Sequence, residues 1–233
     1  MSIAENLALV RANIAAAAES CGRSAEDVLL VGATKLNDAD RVREAIAAGL
    51  ACCGENRVQE LLEKERAGAY KGAQLHFIGH LQKNKVKNVV GLCSLIHGAD
   101  SDGLIAEIDR IAVDRGLVQD ILLEVNVAGE ASKSGFAPEA VPAALEKAAA
   151  LRGVRVRGLM AVPPICRAEE ENLPYFRLMQ QLFIDNSAKK YDNVDMDFMS
   201  MGMSGDYRAA ITCGANMVRI GTAIFGQRIY PTP

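Results

Sequence analysis

Residues 28–36 read Val28-Leu29-Leu30-Val31-Gly32-Ala33-Thr34-Lys35-Leu36, an apolar run of strand length followed directly by a turn that carries a lysine. A doubly wound open sheet that binds dinucleotides places a glycine-rich phosphate turn at this point, after its first strand. Here the turn is Ala33-Thr34-Lys35-Leu36, and the fingerprint is absent. Working outward, the same strand-then-amphipathic rhythm recurs along the chain. Strands are predicted over 28–33, 51–54, 75–78, 95–97, 121–125, 154–160, 196–199 and 217–220, with helical stretches over 38–48, 58–66, 101–115, 138–151 and 169–189. Upstream, an alanine-rich segment over 3–20 repeats apolar residues at Ile3, Leu7, Val10 and Ile14 and meets Gly22, which predicts an N-terminal helix. Eight strands with intervening helices imply an α/β fold closed as a single (β/α)8 TIM barrel, preceded by that extra helix.

Length and composition agree. A chain of 233 residues suits one barrel domain spanning 1–233, with the N-terminal helix in 1–22 and a tail at 228–233. Half the residues are hydrophobic and 24% are charged, enough to bury a large core and to exclude disorder. The net charge of −3 offers no broad positive field to nucleic acid or to anionic membrane, so any anion site must be local. Residues 1–10 have no basic segment before an apolar run, and no stretch reaches membrane-spanning length; a cytoplasmic protein is expected. The six cysteines show no CxxC spacing, so reduced, mostly buried thiols are expected rather than a metal site or disulfides.

In such barrels chemistry sits where the strands end. Lys35 follows the first strand, and an amine at an apolar mouth near positive charge is suited to attack a carbonyl; taken alone, it reads rather as a solvated lysine beginning a helix. The loops after strands seven and eight are where these barrels commonly hold phosphate. The first is Ser200-Met201-Gly202-Met203-Ser204-Gly205-Asp206, entering a helix over 206–213 with Ser204 as its N-cap. The second is Arg219-Ile220-Gly221-Thr222, offering backbone N–H groups and a hydroxyl. One such loop is an ordinary capped helix; two together point to a phosphorylated ligand. Asp206 opposes this unless its carboxylate turns outward to serve the helix dipole alone. Alternation places Met217, Arg219 and Gly221 on one face of strand eight, so Arg219 brings a fixed charge toward Lys35 or pairs with a core carboxylate. Weaker mouth candidates are Glu55, Asn56, His80, Gln82, Asn84 and Asn126. His76 reads as a hydrogen-bonded core residue, His97 as either core or site, and Lys83, Lys85 and Lys87 as the solvated face of a third helix. Residues 127–138 read as a mobile rim element, and Arg155 and Arg157 alternate along strand six without an assigned role.

Val31-Gly32-Ala33-Thr34-Lys35, Gly54-Glu55-Asn56-Arg57-Val58-Gln59-Glu60, and His76-Phe77-Ile78-Gly79-His80-Leu81-Gln82, taken with the two phosphate loops, resemble the pyridoxal phosphate homeostasis protein family, from the N-terminal helix to about Arg228. The resemblance implies a barrel like the N-terminal domain of alanine racemase with pyridoxal 5′-phosphate at its mouth. Carried over by position, it implies that Lys35 forms the imine, that Ser204, Gly205, Gly221 and Thr222 form the phosphate cup, that Arg219 contacts the pyridine nitrogen, and that Asn56 and Met201 line the ring. Two departures are Gly214-Ala215-Asn216 before strand eight and Arg57, where relatives more often carry Gly-Ser-Thr and an aromatic residue.

The resemblance implies vitamin B6 homeostasis, a carrier of the cofactor rather than a catalyst. Two enzyme readings compete: a racemase or decarboxylase of the same fold type, and a barrel enzyme that uses a lysine imine without cofactor. The chain ends at Pro233, just after the eighth unit, so the β-rich domain that gives such racemases their second acid/base group is expected to be missing. Barrel aldolases place their imine lysine on a later strand than Lys35 occupies. The expected partners are the cofactor itself, apo-enzymes that receive it, and amino acids able to form imines, with a monomer as the expected state.

Overall fold

In the computed structural model, which describes residues 1–130 and 133–226, eight parallel strands close into a barrel. The expected tail at 228–233 lies outside the described residues. The strands are β1 (Leu29–Ala33), β2 (Cys52–Glu55), β3 (Gln74–Phe77), β4 (Leu95–Ala99), β5 (Gln119–Val125), β6 (Val154–Ala161), β7 (Val194–Ser200) and β8 (Met217–Ile220). They pair in chain order, and β8 returns to β1 with Arg219 opposite Val31. Helix α1 (Ile3–Ser20) precedes the barrel, started by a capping box in which the Ser2 hydroxyl accepts from the Glu5 N–H and the Glu5 carboxylate accepts from the Ser2 N–H. The others are α2 (Ala39–Ala47), α3 (Val58–Arg66), α4 (Asp102–Asp114), α5 (Val141–Ala149), α6 (Leu173–Ser187), α7 (Tyr207–Thr212) and α8 (Thr222–Phe225).

Three expected helices differ from those observed. The stretch after β3 is a short 3-10 segment, Lys83–Asn88: Val86 is buried and pins it against the barrel, while Lys83 and Lys87 stay exposed. The helices expected over 138–151 and 169–189 each begin with a 3-10 turn, Pro138–Ala140 and Glu169–Asn172, before α5 and α6 start. Pro142 and Pro174 sit in the first turns of those helices, where a missing N–H costs nothing.

The apolar core has two layers, as the period-2 alternation of strands requires. Val31, Ala33, Cys52, Ile78, Leu95, Leu122, Met160 and Met217 fill the barrel interior. Their neighbours Cys53, Phe77, Ile96, Ile121, Val156, Val218 and Ile220 face the helices. All six cysteines are free thiols, and four of them, Cys52, Cys53, Cys93 and Cys213, are buried.

Toward the N-terminal ends of β5 to β7 the interior is charged. Asp120 receives the Arg155 Nε–H at 2.8 Å and Arg157 Nη1 at 2.7 Å, and Arg157 reaches Asp197 at 2.6 Å while its guanidinium carbon stands 5.4 Å from the centre of the Phe198 ring. The two arginines of β6 thus close the barrel floor as an ion-pair network, opposite the mouth. The register slip of β6 beside this network falls between Val156 and Gly158. Gly158 has φ +134°, and a Cβ there would stand 1.9 Å from the Phe198 carbonyl oxygen, so only glycine fits the close approach of β6 to β7.

Replacing Asp120 by alanine leaves two arginines competing for Asp197 on a half-buried floor, so chemical denaturation should report a loss of about 1–3 kcal/mol. Arg155→Ala, which removes the more exposed partner, should cost less than about 1 kcal/mol by the same measurement.

Candidate functional site

Strand β1 delivers Lys35 to the mouth, and the turn around it is held from behind. The Thr34 N–H donates to the Gly54 carbonyl at 2.9 Å, continuing the β1–β2 ladder. The Thr34 hydroxyl donates to Glu55 Oε1 at 2.6 Å, and Lys64 Nζ donates both to that same carboxylate oxygen at 2.5 Å and to the Thr34 carbonyl at 2.8 Å. On the far side of Lys35 the Leu36 N–H donates to Glu60 Oε2 at 2.7 Å, and Asn37 Nδ2 donates to the Lys35 carbonyl at 3.1 Å. Glu55 is therefore not a mouth residue. It faces the helix layer, where α3 supplies Lys64, because the inward positions of β2 belong to Cys52 and Gly54.

Lys35 shares one cavity of about 390 Å³ with Asn37, Arg41, Gly221 and Thr222. The sequence-predicted lysine and the second predicted phosphate loop thus meet. Arg41, which sequence reading missed, brings a second cation to this cavity; its Nε–H donates to Asn37 Oδ1 at 3.0 Å, and its Nη2 donates to the Phe225 carbonyl. It therefore links the lysine turn to the end of the phosphate loop.

Ser204 does not cap α7. The N-cap residue is Asp206, two positions on. The Ser204 hydroxyl instead accepts from the N–H groups of Gly221 and Ala223, each at 3.3 Å, so the two predicted loops converge through one oxygen atom. Gly205 is exposed beside it, and a Cβ there would meet nothing within 4 Å. Asp206 does not face solvent: its carboxylate is buried and accepts from the Met203 N–H of its own loop at 2.7 Å and from Asn172 Nδ2 at 2.8 Å. Thr222 is exposed on the rim of the same cavity as Lys35.

Arg219 points into the barrel and is buried. Its Nη1 donates to the Ser200 carbonyl at 2.9 Å and to the Ser200 hydroxyl at 2.5 Å, and its Nη2 donates to the Ala161 carbonyl at 2.9 Å. A chain continues inward: Ser200 Oγ lies 3.1 Å from His97 Nδ1, and His97 Nε2 lies 3.1 Å from His76 Nδ1. A guanidinium only donates, so Ser200 accepts from it and retains one hydrogen of its own. With that hydrogen donated to His97 Nδ1, the His97 hydrogen sits on Nε2 and is donated to His76 Nδ1. Burial pushes Arg219 down to about 10, partly offset by Glu124 and Asp206, so it stays protonated at neutral pH. Burial likewise lowers His76 to about 4, and it holds His97 well below the usual range, with His76 and Arg219 adding to the effect.

On the opposite side of the mouth Asn56 lines two further cavities, and its Oδ1 is buried with no partner among the described residues. Glu124 lines one of them; burial raises its carboxyl, and Asp100 adds to the rise. His80 is exposed and pairs through Nδ1 with Asp100 at 2.9 Å. Asn126 secures the rim loop, its Nδ2 donating to the Glu130 carbonyl at 2.9 Å and its Oδ1 accepting from the Glu130 N–H at 3.2 Å. Met201 is displaced from its expected place: it is fully buried in the outer core cluster with Ala210 and Ile211 of α7, and its side chain lines none of the mouth cavities described above. The departures are peripheral. Arg57 is exposed and pairs with Glu60 at 3.6 Å, and Asn216 ties β7 to β8 below the mouth through the Met199 N–H at 2.7 Å.

Residues 6–229 match the family described as alanine racemase, N-terminal domain. The chain is 43% identical over 230 residues to a pyridoxal phosphate homeostasis protein of Aquifex aeolicus, covering 99% of this chain and all of the relative. It is 42% identical over 236 residues to a protein of the same name from Pseudomonas aeruginosa, covering 100% of this chain and 98% of that one. Among solved structures, PipY of Synechococcus elongatus with PLP bound superposes with a TM-score of 0.83 at 30% identity, covering 97% of this chain and 100% of PipY.

The two buried histidines set a pH dependence. Unfolded, each takes a proton near 6.5; folded, His76 does so only near 4, and burial holds His97 well below its unfolded value. Their contribution to stability is complete above 6.5 and is lost as pH falls toward 4, because the unfolded state binds the extra protons. Urea unfolding measured across this range should show stability falling by up to about 1.4 kcal/mol per pH unit for each histidine. The His76→Gln variant should show a shallower slope than the parent protein.

Proposed function

The chain belongs to the pyridoxal phosphate homeostasis protein family, and we propose on that premise that it holds pyridoxal 5′-phosphate at the barrel mouth through an imine to Lys35 and passes it on rather than using it in turnover. The observation that carries this reading is the shared cavity: Lys35 opens onto the same space as Arg41, Gly221 and Thr222. The residues fit such a ligand. The orphaned Asn56 Oδ1 offers a buried acceptor at the mouth, and the open space above Gly205 is a place where no side chain intrudes. When bound, the cofactor supplies an aldehyde that takes up an amine and a conjugated ring that absorbs visible light.

The protein's own groups divide the labour of holding it. On this reading the phosphate arm takes over from Ser204 Oγ the N–H groups of Gly221 and Ala223, and the hydroxyls of Ser204 and Thr222 add two further donors. Arg41 adds charge that a dianion needs and that the loops themselves lack. Arg219, fixed by Ser200 and Ala161, offers a pyridine nitrogen only donors, and a nitrogen so held stays unprotonated and withdraws electrons weakly. That supports carriage over amino-acid chemistry. On this reading the recipients are apo-enzymes that use the same cofactor, and free amino acids compete with Lys35 for the aldehyde. One barrel carries the whole site, which supports a single cofactor-binding domain.

Borohydride reduction of the loaded protein followed by peptide mapping should place the phosphopyridoxyl group on Lys35, and Lys35→Ala should lose the visible absorbance. Label confined to another lysine would sink the assignment. Ser204→Ala, Thr222→Val and Arg41→Met should each weaken pyridoxal phosphate by about 1–3 kcal/mol while leaving pyridoxal nearly unchanged, as titrations of the two ligands side by side would show. Equal weakening of both would mean that these groups do not meet the phosphate.

A further inference from the structure

Behind the lysine turn lies an ion pair to which the proposed function gives no part. Lys64 and Glu55 are 2.5 Å apart, with side chains 8% and 0% exposed. Withdrawing both charges from water costs several kcal/mol each, and a well-packed apolar pair usually holds a helix against a barrel equally well or better. Packing α3 onto β2 therefore does not account for the pair. Its hydrogen bonds are more informative, because they converge on the two flanks of Lys35. Before the lysine, Lys64 Nζ holds the Thr34 carbonyl at 2.8 Å, and Glu55 Oε1 holds the Thr34 hydroxyl at 2.6 Å. After it, Lys64 Nζ lies 3.5 Å from Glu60 Oε2, which accepts the Leu36 N–H at 2.7 Å. Leu36 has φ +61°, a left-handed conformation that costs a leucine of order 1 kcal/mol or more and persists only where its surroundings impose it.

We propose that Glu55 and Lys64 are positioning residues for Lys35: together with Glu60 they clamp the backbone on both sides of it and hold the strained Leu36 turn that aims its amine across the mouth. The proposal rests on Lys35 being the point of attachment. No bond changes within the clamp. It acts by fixing the direction of approach, an effect that a displacement of about 1 Å can alter by ~100-fold in rate.

The test compares the parent protein with a Glu55→Gln, Lys64→Met double variant, which removes both charges together, and with Glu60→Met, which removes the acceptor of the Leu36 N–H alone and lies in a more exposed position. Cooperative unfolding shows which variants fold. Hydrogen exchange at the Leu36 amide, read without any cofactor, reports the turn itself; stopped-flow absorbance with pyridoxal phosphate reports attachment to Lys35. In each folded variant, Leu36 exchange should quicken and attachment should slow, both by roughly 10- to 100-fold. A folded variant that keeps parental Leu36 exchange, or one that loosens the turn without slowing attachment, overturns the proposal. A parent protein that does not attach the cofactor at Lys35 would instead overturn the functional reading, and the attachment step of this proposal with it, whatever Leu36 does.

Discussion

The interior of a closed eight-strand barrel offers no water, so a guanidinium placed there must be satisfied by the protein, and much of the mouth follows from satisfying Arg219. Two carbonyls and a hydroxyl from β6 and β7 take its hydrogens, which orients Ser200, which in turn orients His97 and His76. Arginine has no acceptor, so at its end of the chain the Ser200 hydroxyl accepts. The two imidazoles stay neutral because burial opposes a proton on each, and on His97 the nearby Arg219 charge adds to the effect. A fixed cation thus stands at the mouth on a scaffold with little freedom to rotate.

Around that centre, the lysine turn after β1 and the loops after β7 and β8 are neighbours because β8 closes onto β1. Closure is what makes residues near the two ends of the chain into one site. Ser204 joins the last two loops, and Arg41 joins the last loop to the first. The floor uses charge differently. Arg155, Arg157, Asp120 and Asp197 pair among themselves, whereas Arg219 of β8 is held by backbone carbonyls and a hydroxyl.

Some positions misled the sequence reading for identifiable reasons. Ser204 has the residue type of an N-cap, and only the approach of α8 from another part of the chain shows that its oxygen serves the Gly221 and Ala223 N–H groups. Glu55 follows a short strand and so reads as a mouth residue, but strand parity turns it toward α3. Lys64 sits in an amphipathic helix, where lysine is ordinarily solvated, and no local pattern reveals that it is buried. Met201, which the resemblance sets against the ring, is fully buried in the outer core cluster.

The sequence by itself determined the barrel, its strand order and the position of Lys35, because alternating apolar runs have few ways to bury their faces and parallel strands joined by helices close in one sense. It also marked the loops after β7 and β8 and the inward face of β8, since strand parity and loop composition are local properties. The tertiary structure alone decided which donors share an oxygen, which charges are paired and buried, and how the Lys35 turn is held. Those depend on distances between residues far apart in the chain, such as Ser204 and Ala223 or Thr34 and Lys64, and local periodicity carries no information about them.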